Sequence, residues 1–222
     1  MKKKHVLRLN FCVVVHTNTI NYNFLDIFTT HIKNDKICVI SCSHYIKRCN
    51  FVPMKRIILI TGGQRSGKSE YAEQMALKLS EHPVYMATAH IWDEDFKQRV
   101  KRHQERRGDN WTTIEEEQHL SRHDVSGRVV VIDCITLWLT NFFYIYNKVE
   151  TTLEKIKEEF DKFTEQDATF IFVTNEIGLG GIASDQLQRQ FTDLQGWMNQ
   201  YVAEKADEVV LMVSGIAVDI KK

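Results

Sequence analysis

No apolar run in this 222-residue chain approaches the roughly 18 to 20 residues needed to cross a bilayer, so no membrane-spanning helix is expected. Net charge is also missing: 29 basic residues balance 29 acidic ones, which leaves none of the electrostatic footprint of a nucleic-acid binder. There is no internal repeat and no low-complexity linker, so neither a solenoid nor a second large domain is expected. Glycine is absent before Met54 although the chain has 10, and four of the five cysteines lie in that same stretch. Before Met54 there are 8 Lys/Arg against 2 Asp/Glu, and after it 21 against 27, so two parts of opposite charge are joined there. The length suits one substantial domain with at most a small appendage.

The first part begins Met1-Lys2-Lys3-Lys4, like the basic start of a secretory signal. Arg8 and Asn10 interrupt the apolar stretch, Phe11 to Val15 is too short, and no small-residue cleavage site follows. Secretion is therefore not read, and a cytoplasmic location is expected. Cys38, Cys42, His44 and Cys49 lack the paired C-x-x-C knuckles of structural zinc modules and read as unpaired thiols. Residues 1–53 are expected to be an atypical leader, disordered or a start-site over-extension with Met54 as the natural start. Residues 54–222 are expected to form the functional domain.

After Met54 the pattern is that of an α/β protein. Ile57 to Thr61, Val84 to Thr88, Val129 to Asp133, Thr169 to Thr174 and Glu208 to Val213 are short apolar, β-branched runs, as in parallel strands buried on both faces. Five strands are the minimum sheet. Helices are predicted over Ser69 to Ser80, Asp93 to Arg107, Ile135 to Tyr146, Leu153 to Phe163 and Asp185 to Lys205, where apolar residues recur at spacings of three and four.

Gly62-Gly63-Gln64-Arg65-Ser66-Gly67-Lys68-Ser69 fits the phosphate-binding loop G-x-x-x-x-G-K-[ST], with a strand before it and a helix after. The glycines allow tight turns whose N–H groups face phosphate oxygens, and the helix N-terminus adds its positive dipole end. Lys68 would contact the β- and γ-phosphates, and Ser69 would ligate Mg²⁺. Asp133, ending an apolar strand, resembles a Walker B carboxylate that reaches the same metal; a helix cap is the alternative. In the predicted helix Asp93 to Arg107, Arg99, Arg106 and Arg107 lie one turn from His103. Those cations would keep a ring nitrogen unprotonated and able to attack phosphorus. From spacing alone, a solvated charged face with an incidental histidine outweighs catalysis.

Six motifs in order change that balance: the phosphate loop, Tyr85-Met86-Ala87-Thr88-Ala89, Arg99-Val100-x-x-His103, Trp111-x-Thr113-x-Glu115, Asp133-Cys134-Ile135-Thr136-x-Trp138-Leu139-Thr140-Asn141, and Thr174-Asn175-Glu176-Ile177-Gly178. Over Lys55 to Lys221 the chain resembles the bifunctional adenosylcobinamide kinase/adenosylcobinamide-phosphate guanylyltransferase family of cobalamin biosynthesis. The resemblance implies a RecA-like P-loop core and a trimeric assembly. It implies phosphorylation of the aminopropanol hydroxyl of adenosylcobinamide by GTP or ATP. GMP then passes from GTP to adenosylcobinamide phosphate through a GMP–histidine intermediate, giving adenosylcobinamide-GDP. The matching histidine is His103, with Lys68 as the second catalytic residue. Implied nucleotide contacts are Gly62 through Ser69 (Gly62, Gly63, Gln64, Arg65, Ser66, Gly67, Lys68, Ser69), Ala87, Thr88, Ala89, Gln104, Glu105, Arg106, Arg107, Glu115 and Asp133. Mg²⁺ would be held by Ser69 and Asp133.

Two other classes fit part of the pattern. A single-function P-loop small-molecule kinase explains the loop and Asp133 but gives His103 no task. A regulatory GTPase would carry an Asn-Lys-x-Asp motif, which is missing here. The chain also departs from the family at Leu179-Gly180-Gly181-Ile182-Ala183-Ser184, where a Gly-Ile-Val-Pro turn is common, and at Gly215-Ile216-Ala217, where many relatives have Gly-x-Pro. The first departure loses a proline-fixed φ. Asn175 and Glu176, beside this loop, are candidates for substrate contact or for turn formation.

Overall fold

Ile57-Ile58-Leu59-Ile60 is apolar at every position because both of its faces are covered. In the computed structural model, which describes residues 55–90, 94, 98 and 107–222, this run lies inside strand β1, Arg56–Gly62. Ile57 and Leu59 face one hydrophobic cluster, while Ile58 and Ile60 face another on the opposite side of the sheet. This is the side-chain alternation of a strand.

The remaining strands are β2 Val84–Ala87, β3 Thr112–Glu115, β4 Val129–Asp133, β5 Thr169–Val173, β6 Glu208–Val213 and β7 Ile216–Lys221. They form one seven-stranded sheet in the order β3-β2-β4-β5-β1-β6-β7, with only β7 antiparallel to its neighbour. The helices are α1 Lys68–Leu79, α2 Ile135–Tyr146, α3 Val149–Phe163 and α4 Gln186–Lys205. This is a mostly parallel α/β sheet flanked by helices, the RecA-like P-loop class expected from the sequence. All of these elements belong to one compact unit, Val52–Lys222.

Helix α1 packs Ala72 and Ala76 against one face of the sheet, and α2, α3 and α4 cover the other. The latter face carries the bulk of the aromatic core, with Trp138, Phe160, Phe163, Phe170 and Phe172 all fully buried. Phe160 and Phe172 lie 5.0 Å apart between ring centroids, as do Phe163 and Phe170.

Two strands were not foreseen. β3 exposes both threonines and half-buries only Ile114, so it carries no apolar run. β7 is an edge strand exposed along its whole length. It returns on β6 through Ser214 and Gly215, both at positive φ (52° and 84°), the geometry of a type I′ hairpin turn. α3 also starts a turn before the predicted Leu153. Of the predicted helix Asp93 to Arg107, Glu94 and Gln98 are helical and Arg107 sits in a bend; the other positions lie outside the described residues. The leader, with Cys38, Cys42, His44 and Cys49, lies outside them too. Among the described residues no helix is long and apolar enough to cross a membrane.

Candidate nucleotide site

The parallel strands end together, and that shared C-terminal edge gathers the residues that the sequence separates. In the register of the sheet, Ala87 pairs with Glu115 on one side and with Asp133 on the other, while Asp133 pairs with Val173 of β5. β5 in turn borders β1, whose last residue Gly62 opens the phosphate loop. Residues more than a hundred positions apart thus share one edge, where open α/β sheets bind ligands.

The loop is shaped by backbone that only a few residues adopt. Gly62 has φ +148°, and a Cβ there would lie 2.4 Å from the carbonyl oxygen of Met212. Gly67, at φ +94°, is the N-cap of α1 and has no side chain with which to cap it. The first N–H groups of α1 are therefore left for an anion. The turn between β6 and β7 braces the loop from below, since the Gly215 N–H donates to the Ser66 carbonyl at 3.0 Å. The Gly215-Ile216-Ala217 departure falls on this brace.

Lys68 is buried, and its Nζ donates to the Gly63 carbonyl at 2.6 Å and to Ser66 Oγ at 3.5 Å. Burial lowers its pKa, while the nearby charge of Asp133 acts in the opposite direction. An ammonium held by its own loop is ready to exchange a carbonyl for a phosphate oxygen.

Asp133 Oδ2 accepts a 2.8 Å hydrogen bond from the Tyr85 hydroxyl. Burial first, and then the Asp133 carboxylate, push the Tyr85 phenol well above its ordinary range, so it stays a neutral donor. Arg107 stacks on the Tyr85 ring, its guanidinium carbon 3.6 Å from the centroid, and its Nη1 is 4.0 Å from Glu73 of α1. The neighbouring thiol of Cys134 is buried, and burial together with Asp133 pushes it up to about 12, so it is no nucleophile at neutral pH.

The segment Ala87 to Ala89 is held by α2. The Thr88 hydroxyl donates to the Cys134 carbonyl at 2.8 Å, and Asn141 Nδ2 donates to the Thr88 carbonyl at 2.7 Å and to the Glu117 carbonyl at 2.9 Å. The Trp138 Nε1–H donates to the Gln118 carbonyl at 2.9 Å. One helix therefore fixes the exits of both β2 and β3.

The segment after β5 is tied to the loop. The Glu176 N–H donates to the Gly62 carbonyl at 3.0 Å, and the Asn175 N–H donates to Thr136 Oγ1 at 3.1 Å. The Asn175 carbonyl accepts from Asn199 Nδ2 at 3.1 Å, within a buried set that includes Thr174 and Gln195. The Glu176 carboxylate accepts from the Gly178 N–H at 3.2 Å. Beyond it, the departing loop exposes Leu179 and Ile182 almost completely.

Of the site residues named from sequence, Gly62 to Ser69, Ala87 to Ala89, Glu115 and Asp133 meet at this edge. Arg107 is buried against Tyr85 and Glu73. His103, Gln104, Glu105 and Arg106 lie outside the described residues. Tyr85, Glu73 and Asn141 were not assigned roles from sequence, because each acts through a partner distant in the chain. Among the described residues no three His, Cys, Asp or Glu side chains form a metal cluster.

A family model for cobinamide kinase / cobinamide phosphate guanyltransferase matches residues 58–220. The bifunctional adenosylcobalamin biosynthesis protein CobU of Escherichia coli (strain K12) is 35% identical over 181 residues, covering 74% of this chain and 99% of that protein. The corresponding protein CobP of Pseudomonas aeruginosa is 35% identical over 167 residues, covering 73% and 96%. CobU of Salmonella typhimurium is 33% identical over 183 residues, covering 74% and 99%. With the phosphate loop seated in the fold it requires and near-complete coverage of three relatives, the chain belongs to the cobinamide kinase / cobinamide phosphate guanyltransferase family and is a bifunctional phosphotransferase and nucleotidyltransferase.

Proposed function

We propose that the enzyme phosphorylates the aminopropanol hydroxyl of adenosylcobinamide with GTP or ATP, and then transfers GMP from GTP to the resulting phosphate through a GMP–His103 intermediate. The observation that supports this most is the meeting of the uncapped α1 N-terminus, Lys68 and Asp133 at one sheet edge. In the first reaction the substrate hydroxyl attacks the γ-phosphorus, its bond to the β,γ-bridging oxygen breaks, and the nucleoside diphosphate leaves. Lys68 and the loop N–H groups hold the β- and γ-phosphates in line. In the second reaction a His103 nitrogen attacks the α-phosphorus and pyrophosphate leaves with the electrons of the broken P–O bond. The corrinoid phosphate then displaces His103, giving adenosylcobinamide-GDP. Gln104, Glu105, Arg106 and Arg107, with Ala87 to Ala89 and Glu115, would complete the nucleotide contacts.

Ser69 and Asp133 supply the hard oxygens that fit Mg²⁺, and would hold it. When bound, it would neutralise charge on the phosphates. A homotrimeric assembly, a cytoplasmic location and a self-sufficient catalytic domain over residues 54–222 belong to the same proposal. The single-function kinase reading leaves His103 without a task, and the GTPase reading lacks its Asn-Lys-x-Asp motif. Replacing Lys68 with alanine tests the cradle: both reactions should be lost while the domain still folds cooperatively, and normal turnover would put the triphosphate elsewhere.

A further inference from the structure

Tyr85 is nearly enclosed, at 4% exposure, yet its one polar atom reaches the edge where the phosphate loop ends. Its ring has no freedom to turn away. The Arg107 guanidinium covers one face at 3.6 Å from the centroid, and Trp111 meets it edge-on at 6.1 Å and 79°. The backbone fixes the other end, because Tyr85 pairs with Val131 in the register that sets Ala87 opposite Asp133. The hydroxyl is thereby delivered to Asp133 Oδ2 at 2.8 Å.

We propose that Tyr85 is a positioning residue for the metal of the phosphate site: its hydroxyl holds the Asp133 carboxylate in one orientation, so that Oδ1 is presented to the cation bound with the nucleotide. This rests on the reading of Asp133 as a metal ligand. The chemistry is that of an outer partner fixing an inner ligand, where loss of the partner weakens metal binding about 10- to 100-fold. Without the hydroxyl, the carboxylate is no longer held in one orientation, and binding weakens. A purely packing role would need the ring but not the hydroxyl.

Tyr85→Phe keeps the ring, and with it the seats of Arg107 and Trp111. The test is calorimetric binding of α,β-methylene-GTP to the full chain over a range of Mg²⁺ concentrations, without a corrinoid acceptor, so that neither reaction runs. Tyr85→Phe is expected to raise the half-saturating Mg²⁺ about tenfold while leaving affinity in EDTA within about twofold of wild type. Asp133→Asn should raise it as well, and Tyr85→Phe added to Asp133→Asn should add nothing, because the hydroxyl acts only through that carboxylate. If Asp133→Asn shifts the Mg²⁺ requirement and Tyr85→Phe does not, the positioning role is wrong and the metal-ligand reading stands. If neither shifts it, the reading of Asp133 fails and takes this proposal with it. Equal loss of affinity with and without Mg²⁺ in Tyr85→Phe would also overturn it. Should that variant not fold, 4-aminophenylalanine at position 85 keeps the ring with a weaker N–H donor. An increase of about threefold is then expected, and an unchanged Mg²⁺ requirement overturns the proposal.

Discussion

Replacing Asn141 with alanine should show how far the nucleotide edge depends on a single amide in α2. Asn141 is buried, and both of its hydrogen bonds run from Nδ2 to backbone carbonyls, those of Thr88 and Glu117. Alanine would leave both carbonyls without this donor. Thr88 is fully buried, so its loss should cost about 2 kcal/mol, and Glu117 is half-buried and can recruit water, so its loss should cost about 1 kcal/mol. The sum of about 3 kcal/mol corresponds to a fall of roughly 6 to 12 °C in thermal midpoint for a domain of this size. Urea unfolding followed by circular dichroism measures it. Nucleotide affinity should fall too, because Thr88 lies in the segment proposed to contact the nucleotide. Asn141→Asp should be worse than alanine at neutral pH, since a carboxylate facing two carbonyls can only repel them. Destabilisation below about 0.5 kcal/mol for Asn141→Ala, or an Asp variant as stable as wild type, would refute this reasoning.

Gly62→Ala should abolish nucleotide binding and destabilise the fold by about 3 kcal/mol or more, because its Cβ would lie 2.4 Å from a backbone oxygen at a φ of +148°; a normal thermal midpoint would contradict this. Glu116 is a pH-sensitive support of the turn after β3: burial alone would raise its pKa, but N–H groups of Gln118 and His119 and the ring of His123 outweigh that and hold it below the ordinary 4.5. Its stabilising contribution is therefore complete above the unfolded value and is lost as pH falls through the lower folded one. The stability gap between wild type and Glu116→Gln should shrink on acidification below about pH 4.5, as read from urea midpoints across that range; a gap that widens there would be inconsistent. A chain starting at Met54 should keep its fold and both activities, and loss of soluble expression would assign residues 1–53 to the domain.

What the sequence disclosed follows from how local each signal is. β1, β4 and β5 are buried on both faces and therefore read as unbroken apolar runs. β3 and β7 are edges whose pairing is decided by neighbours, and Thr112-Thr113-Ile114-Glu115 has no periodicity long enough to declare itself. For β7 a signal existed in the Ser214-Gly215 pair, a turn dipeptide placed directly after an apolar run. The same distinction holds at the site. The phosphate loop is eight consecutive residues and legible as such, and Asp133 is legible as the end of its strand. The Tyr85 hydroxyl meets Asp133 only because β2 and β4 pair in one register, and Asn141 reaches Thr88 only because α2 crosses the exit of β2. No spacing in the chain encodes either contact.

In the proposed function one protein combines P-loop kinase chemistry with guanylyl transfer through a covalent adduct on His103. The most direct measurement is incubation with GTP labelled at the α-phosphate, followed by peptide mapping. The wild-type chain should retain one acid-labile, alkali-stable GMP group on the peptide containing His103. His103→Ala should retain none while still phosphorylating adenosylcobinamide. Label persisting in His103→Ala, or GMP mapped to another residue such as Lys101, would contradict the account.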